Sequence, residues 1–214
     1  MPNRNAIKYS PQEIEARNAF SRKVFKEIDE NLTDFLNYVP IEKNHLEVYS
    51  TKLISLVLEV GPEILSTLEL AMCQSAYDIR QFQPEVMNEL EGLLNKEREI
   101  RTKKKSLTFT DYSTFLLNHA EINLNTATVL IKESDLFALP FEEPYPEWWN
   151  SYNLLRHDKY ANVKRATFRN TLKATSGLFW LIDSNSRHLN IERLESQVFQ
   201  LNDDRRSLIV TQKI

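Results

Sequence analysis

The chain has 214 residues, of which 42% are hydrophobic and 27% charged, enough for one soluble domain with a substantial core. Its formal net charge of -3 supplies no global field for attracting nucleic acid, so any such binding needs a local basic surface. Only three glycines occur, which excludes a phosphate-binding glycine loop and favours long helices over sheets with tight turns.

The N-terminal third predicts two helices. The run Ser10-Pro11-Gln12-Glu13 is typical of a helix start, with serine as the cap and glutamate completing a capping box. Apolar residues at helical spacing then predict a long amphipathic helix over residues 10–38. A second helix is predicted from about His45, with a kink or a change of helix at Gly61-Pro62.

The middle of the chain predicts shorter elements. A helix from Pro84 is expected to end in a run of cations between Lys96 and Lys105, where positive charge complements the helix dipole. That run is either a solvated helix end or a phosphate-binding patch. A further helix is predicted from Thr110, and the β-branched residues 126–131 predict a short strand.

The C-terminal third returns to helices. An extended connection is predicted over the proline-rich residues 137–146, followed by helices over 148–157 and 164–183. Weak alternation at residues 197–201 and 207–210 is compatible with a small C-terminal β-hairpin. Because no repeat or linker divides the chain, we expect one all-α, bundle-like domain.

The histidines and the single cysteine argue against a metal site. Cys73 is the only cysteine, which excludes an intramolecular disulfide and fits a reducing cytoplasm. The histidines His45, His119 and His188 show no paired ligand spacing. Since no segment is long and apolar enough to span a bilayer, we expect no membrane, metal or cofactor among the partners.

Chemically reactive side chains are densest between Trp148 and Leu181. On a helix Asn153 and His157 are four residues apart and can meet, and Arg156 adds a fixed cation beside them. These three are the candidate catalytic residues, because an imidazole exchanges protons near neutral pH. The neighbouring large aromatic side chains are expected to be core anchors. They are Trp148, Trp149 and Tyr152.

Each candidate also has a structural interpretation. Asn153 can secure the backbone of a neighbouring loop through hydrogen bonds. Arg156 can pair with Glu59 or Glu63, because a buried arginine requires a carboxylate. His157 can have a structural role, in which its side chain packs against neighbouring parts of the protein. The segment therefore predicts either a catalytic site or a set of structural contacts that clasps helices together.

A series of short motifs runs along residues 46–182. They are Tyr49-Ser50, Glu63-Ile64, Pro140-Phe141, Trp148-Trp149, Tyr152-Asn153, His157-Asp158 and Ala166-Thr167. In these motifs the chain resembles uncharacterised prokaryotic HEPN-like helical proteins. The resemblance implies a helical bundle, often dimeric, in a superfamily of RNases, toxin–antitoxin components and phage-defence proteins. It also implies a core over residues 46–182 and an appendage over 183–214.

Catalytic members of that superfamily carry an arginine a few residues before a histidine. None of the histidines here has an arginine at that spacing, and Arg156 is adjacent to His157, about 100° around the helix. A composite site with Arg165 or Arg169 from the next helix stays open. The sequence thus leaves two hypotheses: an RNA-directed protein acting at a dimer cleft, and a non-catalytic helical interaction module.

Overall fold

The computed structural model describes residues 9–78, 88–89, 92–93, 95–96, 107–119, 128–130, 133–141, 143, 145–201 and 212–213. Helices dominate these residues, which confirms the predicted all-α bundle. They are α1 (Pro11–Leu36), α2 (Thr51–Asp78), α3 (Phe109–His119), α4 (Glu147–His157) and α5 (Phe168–His188), with 3₁₀ turns at Lys43–His45 and Val163–Arg165. None of the described helices is both long and apolar enough to cross a membrane.

The start of α1 has the predicted capping box. The Ser10 hydroxyl accepts a hydrogen bond from the Glu13 N–H at 3.3 Å, and the Glu13 carboxylate accepts one from the Ser10 N–H at 2.7 Å. Hydrogen bonding from Ser10 to the charged form holds the pKa of Glu13 below its ordinary value. The predicted helix over residues 10–38 is confirmed to within two residues at each end.

The structure corrects the predicted bounds of α2. The helix begins at Thr51 rather than near His45, which lies in a 3₁₀ turn, and the Ser50 hydroxyl accepts the Leu53 N–H at 3.2 Å. The helix also includes Pro62, so the predicted alternative of a change of helix at Gly61-Pro62 is wrong. Pro62 is exposed while Val60 and Ile64 are fully buried, so packing on the inner face maintains the helix despite the missing N–H.

Helix α2 is central to the bundle, because it contacts α1, α3, α4 and α5. Helices α2 and α5 run in the same direction: the Phe168 N–H donates to the Val48 carbonyl at one end, and the Asn185 amide donates to the Thr67 carbonyl near the other. Helix α1 runs the opposite way. Its C-terminal Phe35 meets Phe168 at 5.4 Å between ring centroids, and its N-terminal Asn18 bonds Ser186.

A small sheet lies beside the helices. Its described strands are β1 (Thr128–Leu130), β2 (Glu133–Ala138), β3 (Phe199–Leu201) and β4 (Gln212–Lys213), in the order β3-β1-β2-β4. Strand β1 confirms the strand predicted at residues 126–131. Strand β3 pairs with β1 and packs on α5, where Phe199 stacks on Phe179 at 6.0 Å, and β4 pairs with β2. The other half of the predicted hairpin, residues 207–210, lies outside the described residues.

The predicted basic helix end is described only in part. Residues 88–89, 92–93 and 95–96 are helical, while the other cations of the run lie outside the described residues. Lys96 forms an ion pair with Asp111, whose carboxylate also accepts the Thr108 N–H at the start of α3. Lys96 therefore neutralises a capping carboxylate.

Charged side chains of the bundle attach the segment that follows α5. The Asp29 carboxylate accepts the Ser196 hydroxyl and the Gln197 N–H, each at 2.7 Å. From the same helix, Arg22 donates to two backbone carbonyls of the segment, and Asp183 of α5 accepts the Leu194 N–H at 2.9 Å. Such charge-assisted bonds hold the segment that follows α5 on α1 and α5.

Asp29 makes this attachment sensitive to pH. Burial raises the pKa of its carboxyl above the ordinary value of 3.8, so the native state binds this proton more tightly than the unfolded chain does. The stability that the proton contributes is present below pH 3.8 and is lost as pH rises through the higher native pKa. An Asp29→Asn variant removes this dependence, because an amide side chain does not titrate.

We therefore expect the unfolding free energy of wild type, measured relative to Asp29→Asn, to fall as pH rises above 3.8. Its slope should reach at most about 1.4 kcal/mol per pH unit and flatten above the native pKa. Urea denaturation of both proteins at a series of pH values measures the difference. A pH-independent difference would contradict the prediction, since all other carboxyls are common to both proteins.

Candidate functional site

The aromatic side chains of α4 belong to the core. Trp148 is 1% exposed, and its indole N–H donates to the Pro140 carbonyl at 2.6 Å. Its ring meets Phe141 edge-on at 5.9 Å, and Trp149 stacks on Phe109 at 4.5 Å. These contacts join α4, α3 and the connection before α4. The aromatic face of α4 therefore packs in the core and does not line a site.

Tyr152 packs directly against the backbone of α2. A Cβ atom at Gly61 would lie 2.3 Å from the Cδ2 atom of the Tyr152 ring, closer than real atoms approach. Glycine is therefore required at this position by the close approach of two helices. The sequence marks Gly61 as unusual within an apolar helix, but only the packing of α4 on α2 explains it.

Arg156 stays at the surface beside Tyr152. Its guanidinium carbon lies 5.5 Å from the centroid of the Tyr152 ring, an arrangement typical of a cation–π contact. In the part of the chain that the structure describes, no ion pair joins Arg156 to Glu59 or Glu63. Glu59 is exposed, and Glu63 is half-buried, where burial raises the pKa of its carboxyl. The structural interpretation of Arg156 as an ion-pair partner is therefore wrong, because its neighbour is an aromatic ring.

Asn153 and His157 do not meet. The Asn153 amide donates to the Tyr145 hydroxyl at 3.2 Å, and within the described residues no hydrogen bond connects it to His157. His157 is the last residue of α4 and is exposed. The three candidates therefore lie along one short helix, with Arg156 and His157 open to solvent and Asn153 partly covered.

Hydrogen bonds define the connection from α4 to α5. Asp158 accepts the Ala161 N–H at 3.0 Å, which closes a turn after the helix. The Asn162 amide donates to the Leu154 and Asp158 carbonyls at 3.3 and 2.8 Å, and the Asn170 amide donates to the Arg165 carbonyl at 3.1 Å. Asn162 and Asn170 were not predicted as functional, and their amide side chains give this connection a defined shape.

The resulting surface is basic and aromatic. We call residues 156–165 the basic segment; it holds four Lys or Arg residues against a single acidic one, in a chain of net charge -3. The four cations and His157 are all exposed, as is Tyr160. Nearby Arg169 is different, because its guanidinium pairs with Glu47 at 2.9 Å.

In the described parts of the chain, no three His, Cys, Asp or Glu side chains are grouped so that they could hold a metal ion. Cys73 is buried, whereas a reactive thiol needs access to solvent.

Comparison with protein-family models, curated proteins and solved structures finds no match for this chain.

Proposed function

We propose that this protein binds RNA through the basic segment. The observation that carries the proposal is the exposure of Arg156, Lys159, Lys164 and Arg165 around an exposed tyrosine, in a chain whose overall charge is negative. Lysine and arginine contact phosphates, and an aromatic ring stacks on bases, so the two together are the chemistry of nucleic-acid binding. The hydrogen-bonded turn at Asp158–Asn162 supports this proposal, because it presents these groups in a fixed arrangement.

In this proposal the chain is a HEPN-like protein of a prokaryotic defence or toxin–antitoxin system, acting as a homodimer in the cytoplasm. The all-α bundle and the motif resemblance over residues 46–182 support the assignment. Its candidate site residues are Asn153, Arg156 and His157.

Geometry favours binding over cleavage for that site. Arg156 contacts the Tyr152 ring while His157 ends the helix one residue later, so their side chains diverge. Cleavage by a 2′-hydroxyl needs a base and a cation that converge on one phosphate. Arg165, at the other end of the basic segment, would have to supply that cation.

Neutralising part of the basic segment tests RNA binding. We expect Lys159→Gln with Lys164→Gln to weaken binding about tenfold at about 50 mM salt and to reduce the slope of log K against log salt by about 1.4, as the loss of two phosphate contacts predicts. Fluorescence anisotropy with a labelled single-stranded RNA measures both quantities. The matched control is Lys23→Gln with Lys26→Gln, which removes two exposed cations from α1.

Equal losses in the two double variants would mean that only net charge matters, and no binding by wild type would refute the proposal. The same RNA, analysed on a gel after incubation, reports cleavage. RNA cut by wild type but not by His157→Ala would assign a catalytic role to His157, whereas intact RNA throughout would assign binding alone.

A specific observation favours a second candidate, a non-catalytic interaction module. The large aromatic rings of α4 are all buried, so half of the chemically dense segment serves as a clasp between helices. In that case His157→Ala retains function, and the partner is a protein. Wild-type protein that fails to bind RNA but is recovered in a stable complex with another protein would favour this candidate.

A further inference from the structure

We infer that three tyrosines at one end of the bundle, Tyr38, Tyr49 and Tyr160, form a stacking surface for the bases of single-stranded RNA. The inference rests on the proposed function and specifies its ligand. These residues lie far apart in sequence, and only the packing of the helices places them at the same end. We call this end the tyrosine end.

The three tyrosines lie in segments that lead to the end of the bundle where α5 starts. Tyr38 follows the last turn of α1, where its N–H donates to the Phe35 carbonyl at 3.1 Å and the Phe35 ring lies 5.4 Å from that of Phe168. Tyr49 forms a backbone bridge with Thr167, the cap of α5. Tyr160 lies in the hydrogen-bonded turn that leads into α5. Each tyrosine therefore belongs to a segment that adjoins the start of α5.

The three rings are exposed to an unusual degree. Tyr160 is 93% exposed, Tyr38 87% and Tyr49 47%. Among the described residues only six large hydrophobic side chains are exposed, and the tyrosine end holds these three together with Val48. Rings that bury so little area contribute little to the core, so their faces are available to a ligand.

The charges beside these rings select a nucleic acid as the ligand. Lys159 adjoins Tyr160, and Lys164 and Arg165 follow in the 3₁₀ turn before α5. Lys52, whose ammonium also donates to Asn31 at 2.6 Å, follows Tyr49 in the first turn of α2. Cations interleaved with aromatic rings contact the backbone and the bases of a strand at once. The surface thus offers phosphate contacts and stacking contacts within one end of the bundle.

Stacking requires single strands. In an RNA duplex the base faces cover one another, so a protein contacts mainly phosphates and 2′-hydroxyl groups. Unpaired bases leave their faces open to tyrosine rings, and every base has such a face, so binding tolerates many sequences. We therefore assign unpaired RNA as the ligand of the tyrosine end.

Anisotropy titrations with a labelled single-stranded oligouridylate and with a duplex RNA of equal length test this inference. We expect Tyr160→Ala, Tyr49→Ala and Tyr38→Ala each to weaken single-strand binding by about fivefold to a hundredfold, with the salt slope unchanged because no cation is lost. Phenylalanine at each position should restore binding, since it keeps the ring. Duplex binding should be weaker in wild type and insensitive to all three alanine changes.

The matched control is Phe20→Ala, which removes a 63% exposed ring from α1, away from the tyrosine end. Losses equal to those of this control, or duplex RNA bound as tightly as single strands, would overturn the inference while the proposed RNA binding stands. No binding of either RNA by wild type would instead overturn the proposed function, and the inference with it. Melting temperatures within about 1 °C of wild type would show that the variants are folded.

Discussion

Trp148→Ala is expected to lower the free energy of unfolding by about 3–5 kcal/mol, the range for truncating a large buried aromatic side chain. Trp148 is almost fully buried, and its ring contacts Phe109 and Phe141 at centroid distances of 5.7 and 5.9 Å. The change leaves a cavity between α3, α4 and the connection before α4. It also leaves the buried Pro140 carbonyl without its indole donor.

Urea denaturation followed by circular dichroism measures this loss. Trp148→Phe separates the two contributions, because phenylalanine retains much of the apolar area but cannot donate to the Pro140 carbonyl. We expect its loss of unfolding free energy to be smaller than that of Trp148→Ala. His157→Ala is the control on the same helix; its side chain is exposed, and its effect should stay within about 0.5 kcal/mol. A Trp148→Ala protein as stable as wild type would refute the assignment of this residue to the core.

Gly61→Ala is expected to destabilise the protein by about 1–3 kcal/mol, although alanine is the better helix former by about 1 kcal/mol. The added methyl group would overlap three carbon atoms of the Tyr152 ring, the nearest at 2.3 Å. That ring is itself buried and lies 4.9 Å from Trp149, so it cannot move aside without disturbing the aromatic core. Steric overlap therefore outweighs helix propensity at this position.

Gly92→Ala is the matched control for this prediction. Gly92 is helical and exposed, and a Cβ atom there would meet nothing within 4 Å. We expect this change to stabilise the protein by about 1 kcal/mol through helix propensity alone. The two glycine substitutions should thus have opposite signs.

A double-mutant cycle identifies the source of the strain. If Gly61→Ala acts through Tyr152, then combining it with Tyr152→Leu should cost less than the sum of the single changes, by about 1 kcal/mol or more. Simple additivity would show that the strain at Gly61 arises elsewhere. The cycle needs only equilibrium unfolding, so it does not depend on any functional assay.

Local signals predicted much of the fold. The Ser10 capping box, the apolar spacing that follows it and the aromatic run of α4 each lie within one element, so short-range physics determines them. The start of α2 was predicted too early, because the apolar pattern includes Tyr49, which lies in a backbone bridge before the helix.

The candidate site was predicted less well than the fold. Asn153 and His157 are correctly placed on one helix, but spacing alone did not reveal that Asn153 bonds Tyr145. The structural interpretation of Arg156 paired it with Glu59 or Glu63, but its guanidinium lies beside the Tyr152 ring. Side-chain partners depend on which helices are neighbours and on where each face points, which a pattern along one chain does not specify.

By itself the sequence determined the helical class, the α1 cap, the buried aromatic face of α4 and the local excess of cations in the basic segment. Each of these follows from residues close in the chain, through hydrogen bonding, periodicity or charge. Tertiary structure alone decided the need for glycine at position 61 and the grouping of Tyr38, Tyr49 and Tyr160 at one end. Both depend on contacts between helices distant in sequence, whose relative directions are set by packing in the core.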